Sequence, residues 1–365
     1  MRAAHLAAIG ALAVGAGCGA TDARPGGDGG ADVDALSGGD LDPASGSGSG
    51  TGSNPEADSG TLPGSGSGSG TSARPPCDGG DCPVAIASAQ SEPWAIAVDA
   101  TSVYWTTYND GTVRRVARTG GPVTTLTSGQ FGPHGIAIDA TSVYWTNYDG
   151  GTVMKIPRGG GTAVLLASGQ ASPERIAVDA TSVYWTDYKG GTVMTVPIGG
   201  GSPIALASLQ EFPEGIAVDA TNVYWTTNGA SGTVMKVPIA GGSPTLLAAS
   251  QFGAFGIAVD GTSVYWTSVG GEAVMSAPLA GGEPTELASS QFGAYGIAVD
   301  TTHVYWTLEA GLVRTAPLGG GGVTTLASSQ SGPYAIAVDA TSVYWTDQGS
   351  APDYSDGALM KLTPK

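Results

Sequence analysis

The chain has 365 residues, including 60 Gly and 23 Pro, and its 31 acidic against 14 basic side chains give a net charge of −17. That acidity excludes nucleic-acid binding, which needs a basic face. Gly and β-branched residues dominate, which excludes a helix bundle or coiled coil, and a 41% hydrophobic content with eight Trp and thirteen Tyr excludes disorder throughout.

Residues 1–17 read as an export signal: Arg2 supplies the positive start, and Leu6–Val14 is an apolar stretch too short to span a bilayer. It ends in Gly15-Ala16-Gly17-Cys18, which resembles a bacterial lipobox, although Gly15 stands where that pattern usually has an aliphatic residue. The resemblance implies that Cys18 becomes the lipid-modified N-terminus, and a multiply acylated Cys anchors stably. An ordinary secretory signal is the alternative. Residues 18–76 are dense in Gly, Ser, Asp and Pro and cannot bury enough apolar surface to fold, so they read as a flexible linker reaching roughly 40 Å. The next segment, 77–82, holds Cys77 and Cys82 around two glycines. In an exported chain this predicts a local disulfide loop, with a metal site as runner-up short of ligands.

From residue 83 the chain repeats itself. The phrase Ile-Ala-Val-Asp-Ala-Thr-Ser-Val-Tyr-Trp-Thr begins at Ile96 and recurs, with small changes, at Ile136, Ile176, Ile216, Ile257, Ile297 and Ile336. In the first copy Ile96–Val98, Val103–Thr106, Thr112–Ala117 and Val123–Ser128 read as strands, separated by turn signals such as Asn109-Asp110-Gly111. Four short strands in about 40 residues describe a propeller blade. The seventh copy stops after its third strand, and Pro83–Gln90 resembles the fourth strand of an inner copy. The expectation is therefore an all-β, seven-bladed β-propeller over residues 83–365, closed by an N-terminal strand that completes the last blade. The repeated Trp and Tyr are expected between blades, and the repeated Asp (Asp99 and its counterparts) as a turn cap.

Tyr-Trp-Thr at this spacing resembles the YWTD repeats of low-density-lipoprotein-receptor-type propellers and, more loosely, NHL and virginiamycin-lyase-like propellers. The resemblance implies fold rather than activity. Such YWTD propellers have six blades, and the motif's final Asp survives here only at Asp187 and Asp347.

Comparison of the seven copies locates a candidate site. Loops on one face are monotonous; on the other they vary. Two residues before each repeated Ile stand Trp94, His134, Glu174, Glu214, Phe255, Tyr295 and Tyr334. These are expected to ring the mouth of the central channel, an aromatic arc facing an acidic one. Tyr108, Tyr148, Tyr188, Asn228, Glu309 and the loop 348–357 form an outer rim. Such a surface suits a saccharide, a peptide or an envelope protein. The expected role is thus an exported, lipid-anchored, monomeric binding protein of the cell envelope, attached to the membrane through its lipid alone. No cofactor is expected, with a divalent cation such as calcium left open. The alternatives are a lyase or lactonase-like enzyme using His134 with a metal near Glu174 or Glu214, and a purely adhesive surface protein.

Overall fold

The structure, a computed structural model, describes residues 82–229 and 231–365. The signal at 1–17, the lipidated Cys18, the linker at 18–76 and Cys77 of the expected disulfide lie outside the described residues. Within them are 28 strands, β1 to β28, and no helix. They form seven four-stranded antiparallel sheets. The first blade contains β2 (Pro93–Val98), β3 (Ser102–Thr107), β4 (Thr112–Ala117) and β5 (Thr124–Thr127), hydrogen-bonded in that order. The last contains β26 (Pro333–Val338), β27 (Val343–Asp347) and β28 (Gly357–Leu362), with β1 (Val84–Gln90) paired antiparallel to β28 as its outer strand.

Each phrase residue has a structural task. The Tyr of one blade and the Trp of the next share a hydrophobic cluster, as with Tyr104 and Trp145, and the same pairing joins Tyr344 of the last blade to Trp105 of the first. Both faces of every blade are therefore covered, so the strands do not alternate apolar with polar residues. In six blades the indole Nε1–H donates to a Gln at the start of the same blade's linker, as Trp105 does to Gln90 at 3.2 Å; in the seventh, Trp345 donates to Asp347 at 3.0 Å. The repeated Asp caps its turn as expected: Asp139 accepts from Thr141 N and Ser142 N at 2.6 and 2.7 Å, and from Tyr144 Oη at 2.6 Å.

The innermost strand begins at Pro93, three residues before the sequence suggested, and carries a bulge. Pro93 pairs with Thr107 and Ile96 with Trp105, so Trp94 and Ala95 together face Thr106. All seven blades share this irregularity. A bulge re-aims a side chain and frees backbone groups, and the Thr of the phrase uses them. Thr106 Oγ1 accepts from Ala95 N at 3.1 Å and donates to the carbonyl of His134, in the next blade, at 2.6 Å. The approach is tight: a Cβ on Gly215, the residue after Glu214, would lie 2.4 Å from the Phe255 carbonyl oxygen.

Candidate functional site

The bulge places all seven residues singled out from the sequence in one closed circle. Trp94 packs on His134 with ring centroids 4.5 Å apart, and His134 Nδ1 lies 3.0 Å from Glu174 Oε1. Arg175 Nη2 bridges Glu174 and Glu214 at 3.4 and 3.5 Å, and its guanidinium sits 5.8 Å from the centre of the Phe255 ring. Phe255–Tyr295, Tyr295–Tyr334 and Tyr334–Trp94 contacts at 5.4, 5.3 and 4.9 Å complete the ring. The Thr bridges fix the backbone of every member; Thr146 Oγ1, for example, donates to the Glu174 carbonyl at 2.8 Å.

The structure differs from the expectation in depth. Six of the seven are buried and Tyr295 is half-buried, so they plug the channel instead of lining an open mouth. Seven inner strands bring seven large side chains to one level, where they fill the space by touching each other. Above them lie half-buried tyrosines. Tyr148 stacks on His134 at 4.8 Å, and Tyr108 contacts Trp94 and His134 at 5.4 and 5.6 Å while donating to Asp149 Oδ2 at 2.7 Å. Asn228 and Tyr188 are also half-buried, whereas Glu309, Asp353 and Asp356 are exposed.

Arg175, which the sequence sets beside Glu174 in the acidic arc, meets partners that only the structure shows. Its position is Gly or Ala in the other six copies, and its side chain is fully buried. Burial pulls its guanidinium below the ordinary value, while Glu174 and Glu214 hold it up. Burial also pushes Glu174 upward, but His134 and Arg175 outweigh that and hold it below the usual carboxylate range. Burial and the charge of Glu174 push Glu214 well above it. The two carboxyl groups are thus pushed in opposite directions by their surroundings, Glu174 toward its charged form and Glu214 toward its neutral one. Arg175 Nε and Nη1, Trp94 Nε1 and Tyr334 Oη find no acceptor among the described residues. No group of three or more His, Cys, Asp or Glu there is placed to hold a metal ion.

The sequence also missed an outer crown. Phe131, Phe212, Phe252 and Phe292 are exposed in the linkers that enter four of the blades. Each linker is tied to the loop after the second strand of its blade, as Tyr148 N is to Gly132 O at 2.8 Å. Phe212 lies 5.2 Å from Tyr188. The signal was present as the residues following each repeated Gln.

A closed seven-bladed β-propeller with a plugged channel and one variable face is what the fold and site define. No family model matches the chain and no curated protein matches it in sequence. Solved structures share the fold. Virginiamycin B lyase from Staphylococcus aureus superposes with a TM-score of 0.66 at 14% identity, over 78% of this chain and 99% of that one. A chain of a nidogen/laminin complex gives 0.51 at 20%, over 60% and 89%. The computationally designed Ika8 protein gives 0.60 at 16%, over 78% and 100%. These likenesses are of fold; at such identities they carry no activity with them.

Proposed function

We propose that the chain is an exported, lipid-anchored binding protein of the cell envelope that works through its variable face. One observation carries this reading. The seven copies keep the bulge, the Thr bridge and the interblade Tyr–Trp pairing, and concentrate their differences on one face, above a ring of dissimilar side chains. A repeated framework with differences gathered at one end is how a rigid scaffold presents a binding surface. Residues 1–18 support export and anchoring through Cys18, and Cys77–Cys82 would stiffen the entry to the first strand.

The experiment has two arms. The full chain should fractionate with membranes and carry an acylated Cys18 by mass spectrometry, and Cys18→Ser should release it. Binding of the released chain to peptidoglycan, saccharides and solubilised envelope proteins is then compared with that of a Phe131→Ser, Tyr188→Ser variant. Loss of binding there, but not in Val164→Ser on an outer strand, supports the reading; retained binding overturns it. Protein partners without saccharide binding would mark an adhesive role for the same face.

The lyase reading draws on the His134–Glu174 pair and the fold shared with a lyase. Burial weighs against it, because a substrate must displace Trp94 and Tyr148 to touch His134. Turnover of quinupristin, the compound present with an inactive virginiamycin B lyase in one of the similar structures, abolished by His134→Ala, would favour that reading.

A further inference from the structure

Three successive linkers, those entering the fourth, fifth and sixth blades, expose a phenylalanine each: Phe212 is 45% exposed, Phe252 55% and Phe292 63%. Their mounts are rigid. Phe212 O accepts from Asn228 N at 3.0 Å and Phe252 O from Gly271 N at 3.1 Å, and the linker of Phe292 is fixed by Glu309 N on Gly293 O at 2.9 Å. Interleaved with them stand Glu211 and Glu309, both exposed, and the half-buried Glu272. Among the described loop residues of this face, Lys189 is the only basic one, and it lies against the Tyr148 ring, outside the arc. Exposed aromatic groups gathered on one arc are uncommon on a chain that meets no partner.

We infer that this arc docks a basic polypeptide segment in which Lys or Arg alternates with apolar side chains. The inference rests on the variable face being the working surface. Charge complementarity selects the occupant: the carboxylates take the cations, and the phenylalanine rings take apolar side chains and the faces of guanidinium groups. The same argument excludes two nearer candidates. The 18–76 segment is itself acidic, with seven Asp and one Glu against two Arg, and a second copy brings a net charge of −17. Because the loops are already fixed by backbone hydrogen bonds, little ordering opposes docking.

The test uses the full chain and a short fluorescent peptide of alternating lysine and leucine, with glutamate–leucine and lysine–serine peptides as controls. The lysine–leucine peptide should bind, and more weakly as salt rises. Both controls should bind at least about tenfold more weakly. The variants Phe212→Ser, Phe252→Ser, Phe292→Ser combined, and Glu211→Gln, Glu272→Gln, Glu309→Gln combined, should each weaken it by about tenfold or more, with unchanged melting confirming the fold. Three results overturn the inference: no binding of the lysine–leucine peptide; binding that survives loss of the phenylalanines, which is charge attraction alone; or loss of self-association in the phenylalanine variant, which makes the arc an interface between copies. A saccharide that binds and is lost in the rim variants, while the peptide fails, overturns the basic segment and leaves the working face standing. Partner binding indifferent to every rim variant overturns both.

Discussion

Thr146 shows how a single hydroxyl can organise this ring. It accepts from Gly135 N at 2.9 Å in its own blade and donates to Glu174 O at 2.8 Å in the next. Thr146→Val keeps the shape and deletes both bonds, leaving a buried N–H and a buried carbonyl without partners. Urea unfolding should show a loss of about 1–3 kcal/mol, and a change below a few tenths of that would remove the bridge from the account. Glu92 offers a second residue-scale prediction. Burial beside the first inner strand pushes its carboxyl up to about 7 from 4.5. A folded-state value above the unfolded one means that the stability from its neutral form is complete below pH 4.5 and lost as pH rises through about 7. The repeated Asp residues act oppositely. Burial pushes Asp139 and Asp219 up, but their Tyr and turn hydrogen bonds outweigh it and hold both below 3.8, so their contribution is present above that pH and lost beneath it. Melting temperature should therefore fall on either side of an acidic optimum. Glu92→Gln should flatten the decline between about pH 4.5 and about 7 while leaving the acid limb unchanged.

Among the strands, the seams between blades are not equivalent. After each third strand comes one residue that reaches the preceding blade. It is Arg118, Arg158 and Lys365 at three consecutive seams, where ion pairs form with Asp339, Asp99 and Asp300, and Ile198, Ile239, Leu279 and Leu318 at the others. The three charged seams flank the place where β1 meets β28. Arg118 also donates to Tyr344 Oη at 2.9 Å. Arg118→Ala should lower unfolding free energy by about 1.5–3 kcal/mol, less at high salt. Arg118→Leu, which copies Leu318, should lose less because it keeps the packing. Equal losses at low and high salt would show that the seam is held by packing alone.

The elements were also what the sequence displayed best. The Ile-Ala-Val and Val-Tyr-Trp-Thr runs recur at fixed spacing, and a recurring run must do the same work each time, so seven sheets could be counted directly. The ring could be named because its position is fixed within a repeat while its residue type is not. Its depth could not be read, because that follows from the bulge at Trp94–Ala95, which pairing creates and spelling does not. Arg175 could be placed beside Glu174, but it stands where the other copies have Gly or Ala, and only the neighbouring blade shows what its side chain meets. The exposed phenylalanines fall in linkers outside the apolar periodicity, where backbone conformation sets exposure; Phe212 itself has a φ of 48°.

At the scale of the molecule, the ring is held by a strand from the far end of the chain. β1 pairs with β28 through Val84–Lys361 and Ala85–Met360, and its Ile86 and Ala87 join Trp105 and Tyr344 in the interblade core. Removing residues 83–90 would therefore do two things at once. It would bare the backbone edge of β28, a template for pairing with another chain, and it would strip apolar cover from one of the seven interblade clusters. The truncated chain should elute as larger species and unfold over a broader, lower range than the intact protein, whereas substitutions confined to the variable-face rim should leave both properties alone. A synthetic peptide of residues 83–90 supplied in trans should restore the intact protein's elution and melting, because the missing groups are mostly main-chain and belong to one strand. A truncated chain that keeps the intact protein's elution and melting curve would mean that the blades hold the circle without β1, and the ion pairs at the three flanking seams would then be the principal closure.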